Sequence, residues 1–543
     1  MREEEKEGWQ SPMNRNIATL CIFLWISCFS CSSGPLEFES VSYQTPSGEL
    51  VGRALGSVEI FRGIPYAEKP LGQLRFAPAK LLSEWDGTLQ AFEPGSACPQ
   101  SKNFSFISED ATVSEDCLYL DIYKPAGESS NLPVLFWIHG GGFTSGSGMD
   151  YDGSVLANQG QVIVVSINYR LGLLGFADTS SWGGNFVGSH NNGIRDQIVA
   201  LQWVQRNIAS FGGNPERITI FGESAGGGSV LALLSAPQAN GLFSQAIAHS
   251  PGAMCREAGD LLSALSTQKN QPSSEIKALL ASATWEEIIE IQDSLLNYPL
   301  AACFDGATMV SDAEADRLNV QLPEVPLIVG SNKDEGTFFS ELFSLADTVN
   351  EGFGEEIAMS LVDSMGEARN IPTYIETVVL QNPDKDERIE QIWTDFFHSA
   401  VATASRRAER RNTDVWVYRF DLPASKNPFG TFLELAGVGN DLGATHAAEI
   451  ELTFNYFDMP YDRNIFYEKD DATAAELAEQ WSGTILNFAH SGEPNGAGLP
   501  YWPKFRSPDR VALVLDADSS LVSSPHEALH ALLYGGIAAD SAD

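Results

Sequence analysis

Two short, almost wholly apolar runs stand out along the chain: Val134-Leu135-Phe136-Trp137-Ile138 and Val162-Ile163-Val164-Val165-Ser166-Ile167. Such runs suit strands buried on both faces, as in a parallel sheet covered by helices. Residues 217–221 and 326–330 read the same way, and the β-prone segments 118–123 and 415–420 add further strands. Two earlier runs, 39–51 and 57–66, read as strands with turns. Helical spacing appears at Ile194, Ile198, Leu201 and Ile208 within 193–211, and an apolar helical run follows from 225 to 234. Strands alternating with helices across Gly-rich turns predict an α/β fold: a large, mostly parallel central sheet flanked by helices. Segments 253–300 and 340–410 are helical in character but less patterned, and are expected to cover the sheet. Neither an internal repeat nor a long linker divides the chain, so a single domain is expected over residues 34–543.

Composition narrows the partners. The 543 residues are 43% hydrophobic and 19% charged, ordinary for a globular chain, but the net charge is -39. That excess repels phosphate backbones, which excludes nucleic acid as an expected partner. Residues 17–29 form an apolar run of signal-peptide length, too short to cross a bilayer. Met13-Asn14-Arg15 precedes it and small residues follow at 30–34. Residues 1–33 are read as a signal segment starting at Met13, because the first twelve residues carry six charged side chains in a mainly acidic run. Export is therefore expected, to the medium, a periplasm or the cell surface. Cys28 and Cys31 are candidates for a lipid anchor, although neither follows a convincing lipobox. No later segment has the uncharged length of a transmembrane helix.

Of the seven cysteines, Cys98 and Cys117 flank a short segment, while pairing of Cys255 with Cys303 is left open by the sequence. Without Cys-x-x-Cys or clustered Cys/His spacing after the signal segment, no metal is expected. Asn103-Phe104-Ser105 is a glycosylation sequon.

The chemistry centres on Gly222-Glu223-Ser224-Ala225-Gly226, between the strand ending at Phe221 and the apolar helical run. A sharp strand-to-helix turn lifts a serine hydroxyl clear of the backbone, and small neighbours relieve crowding. His139-Gly140-Gly141-Gly142-Phe143 follows directly after the run 134–138. Successive glycines let backbone N–H groups of Gly141 and Gly142, with that of Ala225, point at a developing oxyanion. No Lys-Ser or Lys-Thr follows, as a phosphate-binding loop would require. His139 itself is read as structural.

A serine nucleophile on this scaffold takes its acid and then its base later in the chain. His398, His446, His490, His526 and His530 are the candidate bases. His446 stands out, in a Gly443-Ala444-Thr445-His446 loop ahead of an apolar run, whereas His398 and His490 each end a helical run. For the acid, Glu335 and Asp334 both follow the strand 326–330, and the residues alone do not separate them. An unperturbed imidazole base would lose activity below about pH 6–7.

These pieces together resemble the type B carboxylesterase family, which includes the cholinesterases. The matching stretches include 61–67, 114–120, 139–143, Asn168-Tyr169-Arg170-Leu171-Gly172, Asp196-Gln197, 211–215, 222–226 and 330–336. The resemblance implies an α/β-hydrolase that cleaves small-molecule carboxylic esters through an acyl-enzyme without a cofactor. It implies Glu335 as the acid, a Cys98–Cys117 disulfide, ion pairs of Arg62 with Glu115 and Arg170 with Asp196, and Ser250 hydrogen-bonded beside the triad. Cholinesterases carry a Trp in the loop closed by that disulfide, to hold a quaternary ammonium. Here the position falls near Ile107, and only Phe104 and Phe106 are aromatic over 99–116. The sequence therefore resembles a general carboxylesterase. The competing readings are a silent cholinesterase-like adhesion module and a lipase.

Overall fold

The computed structural model describes residues 39–102, 107–108, 110–252, 261–295, 300–347, 352–366, 369–428 and 441–534. The expected signal segment 1–33, the sequon at Asn103 and Cys255 lie outside them. One sheet of 13 strands runs through the described chain: β1 (Glu39–Thr45), β2 (Gly48–Leu55), β3 (Val58–Pro65), β4 (Thr88–Gln90), β5 (Tyr119–Pro125), β6 (Leu132–Ile138), β7 (Ile163–Ile167), β8 (Gly213–Glu223), β9 (Gln245–His249), β10 (Leu327–Asn332), β11 (Val415–Phe420), β12 (Val511–Leu515) and β13 (Ser520–Ser523). Their order is β1-β2-β3-β5-β7-β6-β8-β9-β10-β11-β12-β13 with β4 beside β2. From β7 to β12 every pairing is parallel, and the strands at both margins pair antiparallel except β4, which runs parallel to β2.

The apolar runs form the parallel centre for the reason their composition suggested. In β6 (Leu132–Ile138), Val134, Phe136 and Ile138 pack into one core while Leu135 and Trp137 pack into a second. In β7 (Ile163–Ile167), Ile163, Val165 and Ile167 face the first core and Val164 the second. Alternating side chains need apolar character at every position when both faces are covered. Helices Asn192–Asn207 and Ala225–Leu233 cover the first face, and helix Ala472–Ser491 covers the second.

The 39–51 run divides into β1 (Glu39–Thr45) and β2 (Gly48–Leu55), joined by a tight turn, and 57–66 contains β3 (Val58–Pro65). The remaining expected strands are β5 (Tyr119–Pro125), β8 (Gly213–Glu223), β10 (Leu327–Asn332) and β11 (Val415–Phe420). Four strands had no counterpart in the sequence pattern: β4 (Thr88–Gln90), β9 (Gln245–His249), β12 (Val511–Leu515) and β13 (Ser520–Ser523). The helical cover over 340–410 includes a long helix, Lys385–Arg410, started by Asp384 accepting from the N–H groups of Asp386 and Glu387. Among the described residues no helix is long and apolar enough to cross a membrane.

Candidate active site

Parallel strands bring their C-terminal ends to one edge of the sheet, the side on which α/β folds bind ligands. The glycine loop leaves β6 there, the serine motif leaves β8 and Glu335 follows β10.

Ser224 sits at φ 56°, ψ -120°, between β8 and helix Ala225–Leu233. Such a conformation costs a non-glycine residue about 1–3 kcal/mol and persists only where its surroundings hold it. Here Ser224 N–H donates to His249 O (3.0 Å) and Ser224 O accepts from Gly228 N–H (2.8 Å). The flanking glycines are required by contact, since a Cβ on Gly226 would lie 2.1 Å from Ile138 O.

The glycine loop abuts this turn: a Cβ on Gly140 would lie 3.1 Å from Ser224 Cβ. Gly141 O accepts from Thr144 and Ser145 N–H (3.0 and 2.9 Å), which curls the loop back on itself. Among the described residues, the N–H groups of Gly141, Gly142 and Ala225 donate to no protein acceptor. Ala225 opens its helix, where N–H groups have no partner within the helix. His139 is buried, stacked on Tyr169 (4.5 Å) and held down to about 4 by burial, so it stays neutral. It packs the loop, as expected.

Among the five candidate bases, the structure brings His446 to a carboxylate beside this turn. Its Nδ1–H donates to Glu335 Oε2 (2.6 Å), and Glu335 is fully buried. Asp334 instead pins the loop that carries His446, since its Oδ2 accepts from Ala444 N–H (2.9 Å) and its own N–H donates to Ala444 O (3.0 Å). Among the described residues no hydrogen bond joins Ser224 Oγ to His446 Nε2. Instead Nε2 lies 3.1 Å from Glu223 Oε1, at ion-pair distance, yet that oxygen has no hydrogen-bond partner.

Burial alone would lower His446, but the carboxylates of Glu223 and then Glu335 outweigh it and push the imidazole up to about 9. Glu223 is itself driven up to about 8 by burial, against the pull of His446. This corrects the expectation of an unperturbed base. Phe397 stacks on His446 at 4.4 Å, and Phe339 lies at 5.0 Å. These rings are neutral walls that strengthen every charge inside them.

Sequence reasoning missed Glu223, Glu449 and Asn332. Glu223 was visible as the residue before Ser224 in the serine motif, and Glu449 lies three residues past His446, where helix Glu449–Thr453 begins. Ser250 Oγ donates to Glu449 Oε1 (3.1 Å), so Ser250 reaches the site through that carboxylate. His398 lies inside helix Lys385–Arg410 rather than ending a run, and its ring lies tilted at 4.4 Å from that of buried His526. His490 lies in the last turn of helix Ala472–Ser491, and His530 stacks on Tyr534 at 4.7 Å.

The disulfide Cys98–Cys117 is present, and Arg170 forms a bidentate pair with Asp196 (2.7 and 2.6 Å). Cys303 is also disulfide-bonded. The Arg62–Glu115 pair is not formed. Arg62 on β3 donates to Asp121 Oδ2 (2.7 Å) on the neighbouring strand β5, and Glu115 takes Arg75 in a bidentate pair (2.7 and 2.6 Å). Asp121 lies within the strand beside Arg62, whereas Glu115 precedes β5 and faces the turn carrying Arg75.

A cavity of about 1180 Å³ includes Leu231, Leu234, Gly252 and Ala404 in its lining but not Ser224, Glu335 or His446. It meets the site through Gly252, whose N–H donates to Ser224 O (3.3 Å).

A strained serine turn at the carboxyl end of a parallel sheet, beside a glycine loop, is the construction of the α/β-hydrolases, and this chain is one of them. Comparison with known proteins narrows the class. The chain belongs to the carboxylesterase family, whose model matches residues 39–529. It is 33% identical to the para-nitrobenzyl esterase of Bacillus subtilis over 89% of this chain and 96% of that one. Identity to the mouse cholinesterase is 32%, over 92% of this chain and 87% of the relative. A solved pNB esterase superposes with a TM-score of 0.76 at 29% identity, covering 91% of this chain and 99% of the other. A Geobacillus stearothermophilus carboxylesterase gives 0.72 at 31% identity, with the same coverage. The chain is a carboxylic ester hydrolase.

Proposed function

We propose that Ser224 is the nucleophile, His446 its general base and Glu335 the acid that orients the base. Ser224 Oγ attacks the ester carbonyl while His446 Nε2 takes its proton, and the oxyanion is held by the N–H groups of Gly141, Gly142 and Ala225. The alcohol leaves with the proton from His446, and water activated by the same ring releases the acid. Glu335 fixes the tautomer with hydrogen on Nδ1 and stabilises the imidazolium. The observation that carries this reading is the 2.6 Å contact of Glu335 with His446 Nδ1, which leaves Nε2 as the ring nitrogen for Ser224.

The substrates are uncharged carboxylic esters rather than choline esters, a reading supported by the lack of Trp over 99–116. Export follows from residues 1–33 and is supported by the Cys98–Cys117 disulfide, since disulfides persist in oxidising compartments. A single domain over residues 34–543 is supported by the continuous sheet from Glu39 to Ser523.

Hydrolysis of p-nitrophenyl butyrate by the exported form tests the mechanism, beside Ser224→Ala and Glu335→Gln. Turnover should vanish in the first and fall by a factor of about 10³ or more in the second. Persisting Ser224→Ala turnover refutes the nucleophile.

A further inference from the structure

Asn332 ends β10, and its polar groups reach the acid, the base loop and a second carboxylate at once. Its backbone N–H donates to Glu335 Oε1 (2.7 Å), the oxygen of Glu335 that His446 does not use. The side-chain Nδ2 donates to Thr445 O (2.6 Å), the residue before His446, and to Glu449 Oε2 (2.7 Å). On its far side, Asn332 O accepts from His398 Nε2 (2.9 Å). Asn332, Glu335, Thr445 and Glu449 are all fully buried.

The partners dictate an amide here. Thr445 O and Glu449 Oε2 are both acceptors, so the position requires two N–H donors on one short arm. Asp would present a third acceptor to them, and Leu would leave both unpaired at a cost. Asn332 Oδ1 itself has no partner, so the side chain serves entirely through its donors.

We propose that Asn332 is a positioning residue for the ester hydrolysis, fixing the His446 loop through Thr445 and holding Glu449 ionised beside the imidazole. The inference rests on the Ser224–His446–Glu335 reading. Among the described residues the charged groups facing His446 are Glu335 at Nδ1, Glu223 at Nε2 and Glu449 through its field, and the neutral rings of Phe338, Phe339 and Phe397 lie 6.1, 5.0 and 4.4 Å from the imidazole. Burial already drives Glu449 up to about 7, with Glu335 adding to the rise and the Asn332 hydrogen bond opposing it. Removing that donor favours the neutral acid and withdraws one negative charge from the surroundings of His446. The imidazole then binds its proton less tightly. A residue that only filled space would change stability without moving this titration.

The test is the pH profile of kcat/KM on p-nitrophenyl acetate for the wild type, Asn332→Leu, Glu449→Gln and the double variant. Asn332→Leu should move the acid limb to lower pH by about 0.5 unit or more, and lower the plateau about tenfold as the His446 loop loosens. Glu449→Gln should move the limb in the same direction. In the Glu449→Gln background, Asn332→Leu should lower the plateau without moving the limb further. An unmoved limb in Asn332→Leu, or an equal shift in both backgrounds, would overturn the proposal. If Asn332→Leu does not fold, an unmoved limb in Glu449→Gln alone overturns it. Residual activity of Ser224→Ala separates failure of the triad reading from failure of this one.

Discussion

Replacing Glu223 by Gln isolates the charge that lies closest to His446 Nε2, the nitrogen proposed to take the proton of Ser224. The carboxylate oxygen is 3.1 Å from Nε2, and both groups are buried. Two full charges at that distance interact by about 5 kcal/mol at an effective dielectric of about 20, which sets an upper bound near 4 pKa units. Two facts reduce it. Glu223 is itself held up to about 8, so it carries only part of its charge at neutral pH, and Glu335 continues to support the imidazolium after the substitution. With His446 pushed up to about 9 from an ordinary 6.5, the loss of Glu223 should bring it down by about 1–2 units. The sign follows from the chemistry. In the proposed mechanism Ser224 gives its proton only to a neutral imidazole, so kcat/KM should fall as pH drops through the folded value of His446. The wild-type acid limb should therefore lie above 6.5 and move down in Glu223→Gln. The assay is kcat/KM on p-nitrophenyl acetate from about pH 5 to 9.5, corrected for spontaneous hydrolysis. A limb that stays in place or moves up refutes the argument that Glu223 acts on His446 through its charge.

Two further outcomes concern the scaffold. Asp196→Asn leaves the buried guanidinium of Arg170 without its counter-charge and should destabilise the fold by about 3–5 kcal/mol, read as a fall in the midpoint of chemical unfolding; a change below about 1 kcal/mol on the same assay would count against a buried pair. Opening the Cys98–Cys117 bridge by a double Ala substitution frees a loop of 19-residue separation and should cost about 3 kcal/mol, with the same measurement deciding it.

The parallel centre of the sheet was legible because a strand covered on both faces must be apolar at every position, and 134–138, 162–167 and 217–221 come close to that. The missed strands fail that condition or lack context. β9 is Gln-Ala-Ile-Ala-His, too short and too small in side chain to stand out, yet its last carbonyl holds Ser224 in its turn. β12 is Val-Ala-Leu-Val-Leu, apolar throughout, but no element read from the pattern adjoins it, and it was not assigned. Arg62 shows the reverse case, where a residue pair implied by resemblance gave way to a strand neighbour, Asp121, that the pattern could not rank against Glu115.

The candidate site divides along the same line. Ser224, the glycines and the loop of His446 were readable because each needs a local conformation that only certain residues adopt, and the serine turn is such a case at φ 56°. The proton inventory around His446 was not readable, because it depends on distances between groups far apart in the chain: Glu223, Glu335 and Glu449 come from β8, the segment after β10 and a helix near residue 450. A sequence shows three glutamates, but their effect arises only when burial puts them around one imidazole. Three carboxylates and one ring that share so small a dry volume cannot all hold the charges they carry in water. Some of their protons must redistribute, and the groups that set the distribution are those that donate hydrogen bonds to the carboxylates without carrying charge. Asn332 gives its backbone N–H to one and its side-chain amide to another, and Ser250 gives its hydroxyl to Glu449. On the proposed mechanism, the pH at which this esterase works should be governed as much by those neutral donors as by the residues that meet the substrate.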